Sequence, residues 1–183
     1  IARLVGSEMC IRDSHTPPRF EVCSFPYRIM KHPLFRIGHG FDLHIFADGR
    51  ELILGGVRIP HERGLLGHSD ADCVIHSLAD SLLGAIALPD IGNLFPDDDP
   101  SNKDMDSSII LERAVLEIEK LGYGCSNVDI TIIAQKPRLS PYIPNMKKVL
   151  GQILKIDASC IGIKATTNEG IGSLGRVEGI AAY

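Results

Sequence analysis

The stretch GHGFDLH, residues 38–44, closes on an acid and an imidazole two positions apart, Asp42 and His44. In a strand, side chains two apart leave the same face of the sheet. Phe35–Leu43 reads as such a strand, with apolar Phe35, Ile37, Phe41 and Leu43. A carboxylate and an imidazole on one face supply two of the three protein ligands that a catalytic zinc ion takes. Farther on, Asp72, His76 and Asp80 recur every four residues within a stretch that reads as a helix over 69–87, so they share one of its faces. A lone histidine on a polar helix face is ordinarily just solvated. Paired with Asp42 and His44, His76 completes an N/N/O set whose fourth position stays open, and Asp80, one turn on, is placed to orient it.

Other polar clusters fall at strand ends and helix starts. GHSD (67–70) sets His68 and Ser69 before a helix N-terminus, where backbone N–H groups favour an anion. KATTNEG (164–170) ends a strand with Thr166, Thr167 and Glu169, a set suited to phosphate oxygens and to Mg²⁺ or Mn²⁺. FPDDDP (95–100) reads first as a solvated acidic loop, and AQKPRLSPYIP (134–144) as a rigid loop leading into a helix.

These residues need elements to hold them. Apolar runs at 52–59 (a hairpin turning at Gly55-Gly56), 128–134 and 160–167 read as strands, and another strand begins near Arg176. Helices are expected at 69–87 with Ser69 or Asp70 as N-cap, at 107–122 with Gly122 as C-cap, and at 141–156 with Pro141 in the first turn. The first carries an apolar stripe of Ile75, Leu78, Ala79, Leu82 and Ile86. The second turns Leu111, Ala114, Val115, Ile118 and Leu121 inward. Alternating strands and helices predict an α/β layer, helices packed on one sheet.

The 183 residues suit one domain, and no run reaches the length of a membrane span. Residues 1–34 hold five basic and three acidic side chains (+2), leaving 14 and 20 (−6) for the rest of a chain of net charge −4. That balance argues against a nucleic-acid surface. Cys10, Cys23, Cys73, Cys125 and Cys160 are scattered, without CxxC spacing, and read as reduced, mostly buried thiols of a cytosol-like compartment. Residues 1–34 are an extension rather than a domain. LVGSEMCIRDS (4–14) resembles an in-frame translation of a sequencing-library adapter, which makes Met30 the expected start; a transit peptide is the competing reading.

Together RIGHGFDLH, GGVRIP, GLLGHSDADCVIH, DIGNLFPDDDP, VDITIIAQKPRLSPYIP and KATTNEG…GRVEGIA resemble, in order and spacing, the 2-C-methyl-D-erythritol 2,4-cyclodiphosphate synthase family of non-mevalonate isoprenoid synthesis, from about Arg36 to the end of the chain. The resemblance implies a mixed four-stranded sheet with helices on one face plus a short hairpin. It also implies a homotrimer with active sites between subunits, each holding zinc and a bridging Mg²⁺ or Mn²⁺. By the same resemblance Asp42, His44 and His76 bind zinc, Glu169 binds the second ion, and His68 and Thr167 stabilise the transferring phosphoryl group. The substrate, a cytidine diphosphate ester carrying a 2-phosphate, would lie against Asp42–His44 (Leu43 included), His68 and Ser69. Its methylerythritol would meet Asp90, Ile91, Gly92 and Phe95, Pro96, Asp97, Asp98 and Asp99. Its cytidine would meet Ala134, Gln135, Lys136, Pro137, Arg138, Leu139 and Ser140, with Thr166, Thr167, Asn168, Ser173 and Arg176 completing the contacts. Arg176 and Glu178 correspond to residues near the trimer axis.

Two departures stand out. Ser173 and Leu174 replace an aromatic residue that many relatives carry, which bears on any apolar cavity on the axis, and Tyr183 falls partway through an expected long last strand. The implied setting is bacterial cytoplasm or, in a plant or alga, the plastid stroma, with neither nucleic acid nor membrane as partner. A metal-dependent phosphoesterase and a non-catalytic nucleotide- or metal-binding subunit are the alternatives.

Overall fold

A computed structural model of the chain describes residues 34–96 and 98–183. The expectations for residues 1–33, with Cys10, Cys23 and Met30, and for Asp97 lie outside these. Pairing begins with β1 (Asp42–Ala47), followed by the hairpin β2 (Leu52–Leu54) and β3 (Val57–Ile59) and by the two-residue β4 (Gly64–Leu65). Gly55 and Gly56 both sit at positive φ, 58° and 70°, as a two-residue hairpin turn demands. Helix α1 (Cys73–Ala85) and the short α2 (Ile91–Leu94) precede α3 (Ser107–Lys120). Then come β5 (Val128–Ile133), α4 (Ile143–Leu154), β6 (Ile161–Thr166), the one-turn α5 (Gly172–Gly175) and β7 (Gly179–Ala182).

The main sheet runs β4-β1-β7-β5-β6, with β5 and β6 parallel and the other pairs antiparallel; β2 and β3 form a sheet of their own. The expected four long strands are present, and β4 adds a fifth through Phe46↔Leu65 and Ala47↔Gly64. Burial alternates along β1. Asp42, His44 and Phe46 turn towards the helices, whereas Leu43 and Ile45 stay 43% and 53% exposed on the other face. Helix α1 packs on α3 and lies over β1 and β7, and α4 packs on α3 and β6. Their stripes bury Ile75, Leu78, Leu83, Leu111, Val115, Met146 and Leu150 against Ile130, Ile132, Ile161 and Ile180.

Several boundaries differ from expectation, each for a local reason. The pairing of β1 starts at Asp42, where Ala182 meets it, and residues 35–41 form no strand. Phe35 and Ile37 are 75% and 84% exposed. Helix α1 is capped by Asp72, not Ser69 or Asp70, because the Asp72 carboxylate accepts from the N–H groups of Val74 and Ile75. Helix α3 ends with Leu121 as C-cap and Gly122 one residue beyond, at φ 79°. There Tyr123 N–H donates to Ile118 O and Gly122 N–H to Glu119 O, a Schellman arrangement; Leu121 is exposed, and Ile110, in the first turn, joins the buried stripe. Pro144, not Pro141, occupies the first turn of α4. Arg176 caps the short α5, so the last strand begins at Gly179. Of the described cysteines only Cys73 is fully buried; Cys125 and Cys160 are half-buried. Among the described residues no helix is long and apolar enough to cross a membrane.

Candidate active site

Two glycines bring β1 and α1 together. A Cβ on Gly38 would lie 1.7 Å from Ser81 O and one on Gly40 1.8 Å from Ser77 O, so the chain leading into β1 touches the backbone of α1. Asp42 and His44 thereby face His76, in the first turn of the helix. His76 Nδ1 is 2.9 Å from Asp42 Oδ2 and 3.2 Å from His44 Nε2, and His44 Nε2 is 3.0 Å from the same carboxylate oxygen.

The far side of each ring decides what its near side presents. His44 Nδ1 is 2.7 Å from Leu66 O, a pure acceptor, so Nδ1 carries the proton and Nε2 offers a lone pair. His76 Nε2 is 2.8 Å from Ser107 Oγ. His44 Nε2, His76 Nδ1 and a carboxylate oxygen therefore face one spot. Such a set holds together only around a positive charge, a shared proton or a metal ion. Tetrahedral zinc with bonds of about 2.0–2.1 Å needs ligand atoms roughly 3.3 Å apart, close to the triangle observed, so the three residues fit the ion. Burial opposes ionisation of Asp42, but hydrogen bonds and charge from His44 and His76 outweigh it and hold the carboxyl well below the usual carboxylate range. Burial pulls the His44 pKa down, but Asp42, the Leu66 carbonyl and Asp72 together raise it by more, and the net shift is upward.

His76 is not the polar-face residue its spacing suggested: it is 7% exposed. Asp80 does not orient it. The Asp80 carboxylate accepts the N–H of Ile91 at 2.8 Å and so anchors the segment Asp90–Gly92 one turn beyond the triangle. Burial raises the Asp80 carboxyl above its ordinary value, against that bond. The orienting groups are Ser69, Ser107 and Asp70, none of which spacing had assigned to this role.

Ser69 lies behind the triangle, its hydroxyl 3.1 Å from His76 Nε2. His68 opens instead onto a cavity of about 280 Å³, lined also by Arg50, Gly67, Asp98, Asp99 and Lys103. The structure thus gathers His68 with two residues of the acidic loop, and Asp90, Gly92 and Pro96 are exposed nearby in sequence, with Ile91 and Phe95 half-buried. A larger cavity of about 670 Å³, lined by Leu34–Gly40, α1 residues such as Ser81, and Tyr183, contains none of the expected site residues.

The second group assembles elsewhere. Gln135 Oε1 accepts from the N–H groups of Asn168 and Gly170, at 3.3 and 3.4 Å, and Ala134 N–H donates to Thr166 O. Thr167 Oγ1 donates to Glu169 Oε1 at 2.7 Å, with Glu169 at φ 51°. Ala134 and Leu139 are buried, Lys136, Arg138 and Ser140 exposed, and Arg138 donates to Ser140 Oγ at 2.9 Å; Pro137 follows a cis peptide. Ser173 is exposed, and the exposed Arg176 pairs with Glu178 at 2.6 Å. Registers place the two groups across the sheet. Leu43 pairs with Ala181, Ala181 with Ile133 and Ile133 with Thr166. That is three strand spacings, about 14 Å, between the neighbours of His44 and of Thr167.

The YgbB family model matches residues 35–183. The 2-C-methyl-D-erythritol 2,4-cyclodiphosphate synthase of Bacillus cereus is 53% identical over 149 residues, 81% of this chain and 94% of that protein. The bifunctional IspDF of Campylobacter jejuni superposes with a TM-score of 0.78 at 40% identity, over 81% of this chain and 40% of that longer one. The CDP complex of IspF from Plasmodium falciparum gives a TM-score of 0.71 at 40% identity, covering 81% and 91% of the two chains.

Proposed function

The chain belongs to the YgbB family, and on that premise we infer that it converts 4-diphosphocytidyl-2-C-methyl-D-erythritol 2-phosphate to 2-C-methyl-D-erythritol 2,4-cyclodiphosphate and CMP. The observation that carries this reading is the convergence of Asp42, His44 and His76, ligand atoms within 4.8 Å of one another.

In this reaction an oxygen of the 2-phosphate attacks the β-phosphorus, the bond from that phosphorus to the bridging oxygen breaks, and the oxygen leaves with CMP. The nucleophile is anionic from the outset, so no strong general base is required. The barrier lies in bringing anions together and in holding a flexible chain bent. Asp42, His44 and His76 would hold zinc and Glu169 would hold Mg²⁺ or Mn²⁺, ions whose Lewis acidity offsets phosphate charge. His68 and Thr167 donate to oxygens of the transferring phosphoryl group. Asp90–Gly92 and the loop Phe95–Asp99 hold the methylerythritol, while Ala134–Ser140 with Thr166 and Asn168 hold the cytidine. CDP bound to the Plasmodium falciparum relative supports a cytidine nucleotide as the ligand class. A homotrimer, in which one subunit's zinc triangle meets its neighbour's Glu169, answers the separation of the two groups within one chain. The exposed apolar face of β1, Leu43 and Ile45, supports that assembly.

Phosphorus NMR tests the reaction. Supplied with the cytidine substrate and Mg²⁺, the protein releases CMP and the cyclic diphosphate one for one as the monoester phosphate signal disappears. Inorganic phosphate in place of the ring would mark water as the nucleophile and a phosphoesterase as the enzyme.

A further inference from the structure

Behind His76 lies a chain of hydrogen bonds with a definite direction. Asp70 accepts from Ser107 N–H at 3.1 Å, from Asp72 N–H at 3.2 Å and, through a short contact, from Ser107 Oγ–H. A carboxylate surrounded by donors only accepts, so the single hydroxyl proton of Ser107 is committed to it. Ser107 is fully buried. Its remaining polar neighbours are His76 Nε2 at 2.8 Å and Ser69 Oγ at 3.3 Å. With the Ser107 proton already used, a 2.8 Å approach is a hydrogen bond only when the proton sits on His76 Nε2. A bare Nε2 would set two lone pairs against each other; on the other side of the ring Nδ1 lies 2.9 Å from Asp42 Oδ2 and shares a proton with that carboxylate when no metal is bound, so only the Nε2 proton reports the relay. Among the described residues no buried side-chain polar atom lacks a partner, so the network is closed as drawn.

We propose that Asp70 and Ser107 form a carboxylate–hydroxyl relay that keeps a proton on His76 Nε2 and so leaves Nδ1 as the nitrogen that meets the metal. They are positioning residues, since Ser107 meets only the far nitrogen of His76 and Asp70 meets Ser107, and the metal part of the inference rests on the zinc reading above. The relay also explains why residues from two distant stretches, 70 and 107, meet at this spot: the N-terminus of α3 is pinned to the loop that precedes α1, and His76 is read from behind by both.

The discriminating variant is Asp70→Asn. A side-chain amide can satisfy Ser107 N–H through its oxygen while its NH₂ donates to Ser107 Oγ. That frees the hydroxyl proton to turn towards His76 Nε2 and reverses the relay. Two quantities are read on the full chain. The first is the His76 tautomer in the zinc-free protein, from long-range proton–nitrogen correlation spectra. The second is zinc affinity, from competition with a chromophoric chelator. The wild type is expected with Nε2 protonated. Asp70→Asn should leave Nε2 bare, with the proton on Nδ1, and weaken zinc at least about tenfold, within the usual range for groups that orient a metal ligand. Ser107→Ala, which removes the middle of the relay, should weaken zinc without imposing the opposite tautomer, and it carries the affinity test if Asp70→Asn fails to fold.

Unchanged affinity in both variants overturns the relay. So does an affinity loss in Asp70→Asn with the tautomer unmoved, since altered packing alone would produce it. A wild type that binds no zinc would defeat the metal reading separately, because the tautomer is measured without metal.

Discussion

At the scale of single residues the side chain that binds the site together is one with no place in the chemistry. Asp72 is fully buried, and its carboxylate accepts four backbone N–H groups: Val74 and Ile75 of α1, and Gly55 and Gly56 of the hairpin turn at 2.9 and 2.7 Å. It thus caps the helix that carries His76 and fastens that cap to the turn. Burial pushes the Asp72 carboxyl up to about 6, against the pull of the Gly56 and Gly55 N–H groups. The sign of the consequence follows from proton binding. Between about pH 4, where the unfolded carboxyl titrates, and pH 6, the folded state holds the extra proton, so this group's contribution to stability falls as pH rises through that window and is constant above it. Urea unfolding of zinc-free wild type and Asp72→Asn should show the wild type losing ground to the variant by up to about 3 kcal/mol on going from pH 4 to pH 7. A stability difference independent of pH would mean that Asp72 stays ionised throughout. Superimposed on this, Asp72→Ala abandons four donors at once and should cost several kcal/mol at any pH, because each buried unsatisfied group costs about 1–3 kcal/mol.

At the scale of elements the decisive contact is glycine against helix backbone. Gly40→Ala would put a methyl 1.8 Å from Ser77 O, and a backbone carbonyl inside a helix cannot move aside. The expected result is destabilisation of about 3 kcal/mol or more together with loss of bound zinc, since Asp42 follows Gly40 by two residues. Gly124→Ala, with nothing within 4 Å of the new Cβ, is the control and should change stability by less than about 0.5 kcal/mol. Urea titration and zinc stoichiometry check both. These elements also show what a sequence can and cannot disclose. The hairpin was legible because Gly-Gly between apolar runs admits few other structures, and α3 because its stripe and its terminal glycine agree. The start of β1 was not. Alternation of Phe35, Ile37, Phe41 and Leu43 fixes which side chains share a face, but a strand also needs a partner, and Ala182 supplies one only from Asp42 onwards. Three acceptors, Ser69, Asp70 and Asp72, compete for the cap of α1, and local pattern does not choose among them. The choice falls to the distant N–H groups of Gly55 and Gly56. The metal triangle itself was readable as i,i+2 on a strand plus one histidine on a helix. Its support was hidden, because Ser107 stands 31 residues from His76 and nothing near either announces the other.

At the scale of the whole molecule the proposed reading gives one chain two incomplete sites. The Asp42–His44–His76 triangle lies on β1 and α1, whereas Thr167 and Glu169 follow β6, three strand spacings or about 14 Å away. On that reading a diphosphate held by two ions would have to cross this gap within a chain, whereas the proposed homotrimer would set one subunit's β6 end against its neighbour's β1. This arrangement predicts complementation. His76→Ala should abolish zinc binding and Glu169→Gln should spare zinc while crippling turnover, each variant being nearly inactive alone. Unfolding and refolding them together in equal amounts gives mixed trimers. A site is intact only where a subunit with native His76 abuts, in the right order, one with native Glu169. Random assembly of such a head-to-tail ring restores about a quarter of wild-type activity. Cyclisation rates on the mixture, with sedimentation to confirm that trimers have formed, decide the matter. If trimers form and activity stays at the level of the separate variants, each site is built within one subunit. Ile45→Asp separates assembly from chemistry on the same logic. It places a charge on the exposed face of β1, leaves the triangle on the opposite face intact, and should yield monomers that keep zinc but do not turn over.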